Sequence, residues 1–137
     1  MAALERRLAL EVQALADWKS GEAAWRRADL QRLGDSARAA GLATRGGQVQ
    51  LRLAGAAHEL YWQDYDPSER RACETWLDYV DRTWREMLFL VAGLAPDQAI
   101  IDGARRIKPA LAQIGDAEAL NGLWFVVYLE AGADADR

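Results

Sequence analysis

The residues of this chain that could do chemistry are concentrated between Asp66 and Gly93. Asp78 and Arg82, and again Asp81 and Arg85, form acidic–basic pairs with a spacing of four residues. On an exposed helix such pairs add only about 0.2–0.5 kcal/mol each, so a solvated helix face is one interpretation. The other is a binding site, in which Asp78 accepts N–H bonds from a ligand and Arg82 or Arg85 holds an acidic group of it.

Three aromatic residues and the one cysteine lie on the same stretch: Trp76, Tyr79, Trp84 and Cys73. The aromatic rings could wall a flat ligand or contribute to a protein interface. Cys73 falls on the predicted apolar stripe of the helix, where cysteine acts as a small hydrophobic residue. Alternatively, Arg70 and Arg71 one turn earlier would make its thiol nucleophilic.

His58 is the only histidine, and no second histidine, cysteine or carboxylate stands at ligand spacing from it. A surface or hydrogen-bonded histidine is therefore favoured over a haem ligand or a general base. The sequence has no metal-ligand cluster, phosphate-binding loop or nucleophile triad. We therefore expect a non-enzymatic protein without a metal.

Size and composition predict one soluble domain spanning residues 1–137. The chain is 51% apolar and 28% charged, and its net charge of −4 argues against nucleic-acid binding. Its start lacks a signal-peptide pattern, and its longest apolar run, Leu123 to Leu129, is too short for a membrane span. A single cysteine permits no internal disulfide and fits a cytoplasmic location.

Apolar periodicity predicts six or seven helices and no strands. Val49, Leu51 and Leu53 alternate as in a strand, but no partner strand is evident and an isolated strand is unstable, which favours a helix. The central helix is predicted to start with Asp66 as N-cap and Pro67 at the first position, in a capping box. Pro109 must kink or split the helix that contains it. The predicted helices are 4–19, a second between Gly21 and Gly41, 48–63, 66–93, 96–114 and 117–131, followed by a frayed tail, 133–137.

The chain resembles the phycobiliproteins, the globin-fold bilin carriers that include allophycocyanin. The resemblance rests on Arg70-Arg71-Ala72-Cys73, Leu77-Asp78-Tyr79, Ala92-Gly93, Pro96, Gly103-Ala104-Arg105-Arg106 and Ile114-Gly115. It covers about residues 42–131 and is closest to the small globins associated with bilin biosynthesis. Without a gap before Ala92-Gly93, Asp78 matches the family's aspartate and Thr75, not Cys73, matches its bilin-attaching cysteine. The resemblance implies an all-α, globin-like (phycobilisome-like) bundle that binds a bilin.

Two functional hypotheses follow. In the first, the protein binds an open-chain tetrapyrrole (bilin), of the biliverdin or phycocyanobilin class, without a covalent bond. Asp78, Arg82, Arg85, Trp76, Tyr79, Trp84 and Cys73 would form the site. The partners would be haem oxygenase or bilin reductase, or a second copy in a homodimer, and the protein would accept or shield the bilin during its biosynthesis. In the second, it is a small acidic helical protein-interaction module, such as an immunity protein, secretion chaperone or adaptor, with no small-molecule ligand.

Overall fold

The computed structural model describes residues 4–132 and shows a mixed α+β fold, so the all-α, globin-like prediction is wrong. The predicted tail 133–137 lies outside the described residues. The described residues form seven strands, β1 (Asp17–Lys19), β2 (Glu22–Trp25), β3 (Ala43–Gly46), β4 (Gln48–Leu53), β5 (Ala56–Asp64), β6 (Leu123–Val126) and β7 (Tyr128–Glu130). The five α-helices within this range are α1 (Leu10–Leu15), α2 (Leu30–Ala39), α3 (Trp76–Ala92), α4 (Asp97–Ile107) and α5 (Asp116–Asn121).

A five-stranded antiparallel sheet in the order β1-β2-β6-β4-β5 forms the centre of the fold, and β3 pairs with β7 in a second, two-stranded sheet. In the larger sheet Val49 stands opposite Phe125, and Leu51 opposite Leu123. The alternation in 48–53 is therefore that of a strand. The predicted helix 48–63 is wrong because its partner strand lies far along the chain, inside the segment 117–131 that was predicted as a helix.

Two tight hairpins, β1–β2 and β4–β5, stand where helices were predicted. Ser20 and Gly21 connect β1 to β2 with φ of 52° and 79°, the conformation of a two-residue type I′ turn. The loop between β4 and β5 also has two residues, and its Gly55 has a φ of 83°. Such turns return the chain along its own sheet, so the predicted helix 4–19 ends in β1 and the next segment begins with β2.

The predicted helices that the structure does contain are shorter than predicted. α2 occupies only the second half of the segment between Gly21 and Gly41. α4 ends at Ile107, and Pro109 begins a short 3-10 helix, which agrees with the predicted break. Within residues 4–132 no single helix is long and apolar enough to cross a membrane. α3 and α4 pass that test only as a pair, which is bent by 75° at the break.

α3 begins about ten residues later than predicted, and the predicted capping box is wrong. Thr75 is the N-cap, and its hydroxyl accepts the Asp78 N–H at 3.2 Å. Asp66 instead accepts the Gly47 N–H at 3.0 Å, which ties the start of the segment 66–75 to the end of β3 and the start of β4. The Asp66 carboxylate is engaged by a distant backbone donor, and the helix starts instead at Thr75, whose hydroxyl accepts a backbone N–H of α3.

One connected cluster of buried apolar side chains joins the sheet to the helices. Both large fully buried rings of the sheet, Trp25 and Phe125, belong to it. The helices contribute Leu30 and Leu33 of α2, Trp84 and Met87 of α3, and Ile100 and Ile101 of α4. Tyr65, just after β5, is buried with its hydroxyl donating to the Val126 carbonyl at 2.6 Å. This bond fixes the chain where it leaves the sheet edge.

The close approach of Gly47 to β6 gives a test of this arrangement. A Cβ at Gly47 would overlap the carbonyl group of Val126. Since the obstructing atoms are sheet backbone, we expect Gly47→Ala to lower the free energy of unfolding by roughly 1–3 kcal/mol in urea denaturation. Gly115→Ala is the matched control, because a Cβ there meets nothing within 4 Å and its φ of −66° suits any residue. Equal stability of the two variants would contradict the close contact.

Candidate functional site

Arg82 is buried at the centre of an ion-pair network, not exposed on a ligand-binding edge. Its guanidinium binds both oxygens of Glu74 at 2.6 and 2.9 Å, and Glu86 at 2.7 Å. The same group donates to the Ser68 and Glu69 carbonyls at 3.2 and 3.0 Å. The predicted Asp78–Arg82 pair is replaced by these contacts. A guanidinium with these partners has no donor left for a bilin propionate.

The Arg82 network ties the segment 66–75 to α3. Glu74 comes from the end of that segment and Ser68 from its start, while Glu86 lies one turn after Arg82 on the helix. The Arg82 side chain is 8% exposed and that of Glu74 is 9% exposed. Hydrogen bonds from Arg82 lower the pKa of Glu74 to about 2. The network therefore holds an irregular segment in place by charge instead of by regular backbone pairing.

The three aromatic residues proposed as ligand walls are structural. Trp84 is fully buried and its indole N–H donates to the Leu42 carbonyl at 2.8 Å. Trp76 donates to the neighbouring Gly41 carbonyl at 2.8 Å. The Tyr79 hydroxyl donates to Glu130 at 2.7 Å. These bonds attach α3 to the turn after α2 and to β7, which accounts for the aromatic residues without a ligand.

The remaining predicted site residues lie apart on the surface. Asp78 is exposed in the first turn of α3, and Arg85 is exposed and paired with Asp81 at 2.8 Å, as its spacing predicted. Cys73 is a free, exposed cysteine in the segment before α3, so its predicted place on the buried stripe is wrong. The structure therefore does not bring the seven predicted residues together in one site.

A groove along the C-terminal half of α3 is the candidate site that the structure does show. One cavity of about 630 Å³ is lined by Asp66, Pro67, Ser68, Arg85, Glu86, Phe89 and Leu90. A second, of about 470 Å³, is lined by Asp64, Phe89, Leu90, Ala92, Gly93 and Leu94. Because the two cavities share Phe89 and Leu90, we describe them together as the α3 groove. Phe89 is 79% exposed and Leu90 is 39% exposed.

The Arg82 network positions residues 66–68, which line the side of the α3 groove opposite the helix. The Ser68 hydroxyl donates to Glu86 at 2.8 Å, which holds residues 66–68 beside α3. Pro67 and Phe89 then face the same space, while the buried side of α3 carries Trp84 and Met87. The groove is thus an apolar surface with carboxylates at its sides, and it is suited to an apolar side chain with a polar or charged neighbour.

A second, more polar cleft lies on the sheet. It has a volume of about 330 Å³ and is lined by both lysines of the chain, Lys19 and Lys108, together with Glu22, Glu59, Gln50, Tyr61, Ser20 and Ala57. Two cations face two carboxylates there, and Glu22 already accepts the Tyr128 hydroxyl at 2.6 Å. The balanced charge gives this cleft no preference for an anionic or a cationic ligand.

Sequence reasoning missed the α3 groove, although one signal was present. The buried stripe of α3 follows Val80, Trp84, Met87 and Val91, and Phe89 falls on the opposite, otherwise polar face with Arg85. A large apolar residue on the solvent face of an amphipathic helix indicates a contact surface. The contribution of Asp64 and Asp66 was not predictable, because it depends on the end of β5 lying beside the end of α3.

Comparison with models of known protein families, with curated proteins and with solved structures found no match. Nothing in these comparisons indicates a phycobiliprotein-like globin. Among residues 4–132, no group of three or more histidine, cysteine, aspartate or glutamate side chains is arranged to hold a metal ion. His58 is half-buried in β5 opposite Leu51.

We expect Arg82→Met to lower the free energy of unfolding by about 3 kcal/mol, because Glu74 is left almost buried without its cation. Arg85→Met removes the same charge from the same helix, but from an exposed pair, and we expect a change below about 0.5 kcal/mol. Urea denaturation at neutral pH measures both. Similar losses in the two variants would contradict the structural role of Arg82.

The depressed pKa of Glu74 predicts a pH dependence of stability. A carboxylate whose folded pKa lies below its unfolded value stabilises the fold fully above the unfolded pKa, and this stabilisation is lost as the pH falls. For Glu74 the window runs from its ordinary value of 4.5 down to about 2. We expect the difference in unfolding free energy between the wild type and Glu74→Gln to shrink across this window. Glu118→Gln, an exposed change on α5, is the control; a parallel trend in it would count against the assignment.

Proposed function

We propose that this protein is a non-enzymatic protein-interaction module whose α3 groove receives an apolar segment of a partner protein. The observation that carries the proposal is Phe89, a large apolar side chain that is 79% exposed between two cavities. Fully burying a phenylalanine or leucine side chain is worth roughly 1.5–3 kcal/mol. A partner that covers Phe89 and Leu90 therefore gains binding free energy, because these apolar side chains are removed from water.

The sheet edge beside the groove supports the proposal. Asp64 ends β5 and also lines the groove. In the described part of the chain β5 pairs only with β4, so its outer side is free, and it carries Tyr61 and Trp62, which are 68% and 39% exposed. A register shift at Tyr61–Gln63 interrupts regular pairing with β4, and such bulges limit edge-to-edge aggregation. Aromatic residues are enriched at protein interfaces, so this edge is a further candidate contact surface, which meets the groove at Asp64.

Bilin binding stays a prediction that no comparison tests, and we do not advance it as the function. The residues chosen for it serve other contacts: Arg82 is saturated by carboxylates and carbonyls, and Trp84 is fully buried. The fold on which the resemblance depended is also different. The bilin enzymes as partners, a homodimer and a cytoplasmic location likewise stay predictions.

The proposal is tested by selecting binders from a random displayed peptide library on the immobilised wild-type protein. We expect selected peptides to lose binding at least about fivefold on Phe89→Ala, since about 1 kcal/mol or more of apolar burial is removed. Leu10→Ala is the matched control, because Leu10 is also 79% exposed but lines neither cavity of the groove. Binders that are indifferent to Phe89, or that depend equally on Leu10, would sink the proposal.

Hydrogen exchange gives an independent readout of the same site. With a selected peptide bound, we expect slower amide exchange in the segments 66–68 and 85–94. α1, whose residues line neither cavity of the groove, is expected to keep its rates. Protection confined to other segments would show that the peptide binds elsewhere.

A further inference from the structure

The α3 groove has a charge imbalance as well as an apolar surface. Of the charged groups that line it, Glu86 is paired with Arg82 at 2.7 Å and Arg85 with Asp81 at 2.8 Å. Asp64 and Asp66 have no ion-pair partner among residues 4–132. The groove therefore presents two uncompensated carboxylates beside Phe89 and Leu90.

The negative charge of Asp64 acts on Asp66, two residues later in the chain. Burial and, to a smaller extent, the charge of Asp64 raise the pKa of Asp66, while the hydrogen bond from Gly47 opposes this effect. A cation beside Asp66 favours its ionised form and so offsets the effect of the neighbouring Asp64 charge. A positive side chain placed here would relieve the repulsion and gain two charge-assisted contacts.

Their positions are also fixed in advance. Asp64 and Asp66 flank Tyr65, whose buried hydroxyl is bonded to Val126. Asp66 is held further by the Gly47 N–H at 3.0 Å, and a Cβ on the preceding Gly46 would meet the Asp66 Cα at 2.5 Å. Because this backbone is already ordered, binding a cation here costs little additional conformational entropy.

We infer that the partner segment carries a lysine or arginine next to a large apolar residue, with the cation between Asp64 and Asp66 and the apolar side chain on Phe89 and Leu90. This inference rests on the proposed function and names the chemistry of the partner. A second copy of this chain is disfavoured, although Ile107 is 56% exposed and precedes Lys108. That contact would join two different surfaces and leave one groove of each pair free for a further copy, which produces rings or open chains of molecules.

The experiment uses the full-length protein and the same displayed peptide library. Peptides selected on the wild type are expected to be enriched in lysine or arginine beside an aromatic or aliphatic residue. A synthetic peptide of the enriched sequence is then titrated against Asp64→Asn/Asp66→Asn. Because exposed ion pairs contribute modestly, we expect about two- to fivefold weaker binding for each lost carboxylate, and a smaller dependence on salt. The Asp66→Asn change keeps an oxygen for the Gly47 N–H, and thermal unfolding confirms that the variant is folded.

The matched control is Asp78→Asn/Glu118→Gln, which changes the net charge equally at exposed positions outside the groove. Equal weakening in both double variants would reduce the effect to net charge and overturn the inference. Phe89-dependent peptides without a basic residue would also overturn it, while leaving the proposed function intact. If no peptide depends on Phe89, both fail. Concentration-dependent oligomers that disappear in Phe89→Ala and in Lys108→Gln would show that a second copy of this chain, and not a partner segment, occupies the groove.

Discussion

The ion-pair network around the buried Arg82 guanidinium is the interaction on which the α3 groove depends. It gathers Glu74, Glu86 and the backbone of Ser68 and Glu69 around one charge. A charged group removed from water is tolerated only when its donors are satisfied, and here the bonds reach both ends of the segment 66–75 as well as Glu86 on α3. These hydrogen bonds to Arg82 fix the position of residues 66–75. Because Ser68 is bonded to Glu86, residues 66–68 lie beside α3 and form the groove together with Phe89.

The same constraint separates structural from available residues along α3. Side chains that point toward the core or toward the Arg82 network are already bonded, including Trp76, Tyr79 and Trp84. Much of the accessible surface of α3 lies on the opposite face, where Arg85 and Phe89 lie one turn apart. The helix is thus attached to the fold by its polar and aromatic atoms and presents an apolar residue to the solvent. This distribution favours contact with another protein surface over an enclosed ligand.

The charge at the groove has its origin in the sheet. β5 ends at Asp64, Tyr65 turns inward to bond β6, and Asp66 receives the Gly47 N–H. Both carboxylates are placed by backbone contacts with strands, whereas Phe89 is placed by a helix. An apolar site and an acidic site therefore meet because the end of the sheet edge and the end of α3 are adjacent. Neither element would form the surface alone.

The sequence by itself determined the features that depend on neighbours along the chain. The break at Pro109, the Asp81–Arg85 pair and much of the buried stripe of α3 are of this kind, because a missing donor or a four-residue spacing acts locally. Tertiary structure alone decided that 48–53 and 123–126 are strands, since an apolar alternation has meaning only once a partner is present. It also decided the role of Arg82. The sequence offers Arg82 a local partner, the aspartate four residues before it. In the fold Arg82 is buried beside Glu74 and Glu86, which are stronger partners. That burial depends on how the segment 66–75 packs on α3, which no local spacing reveals.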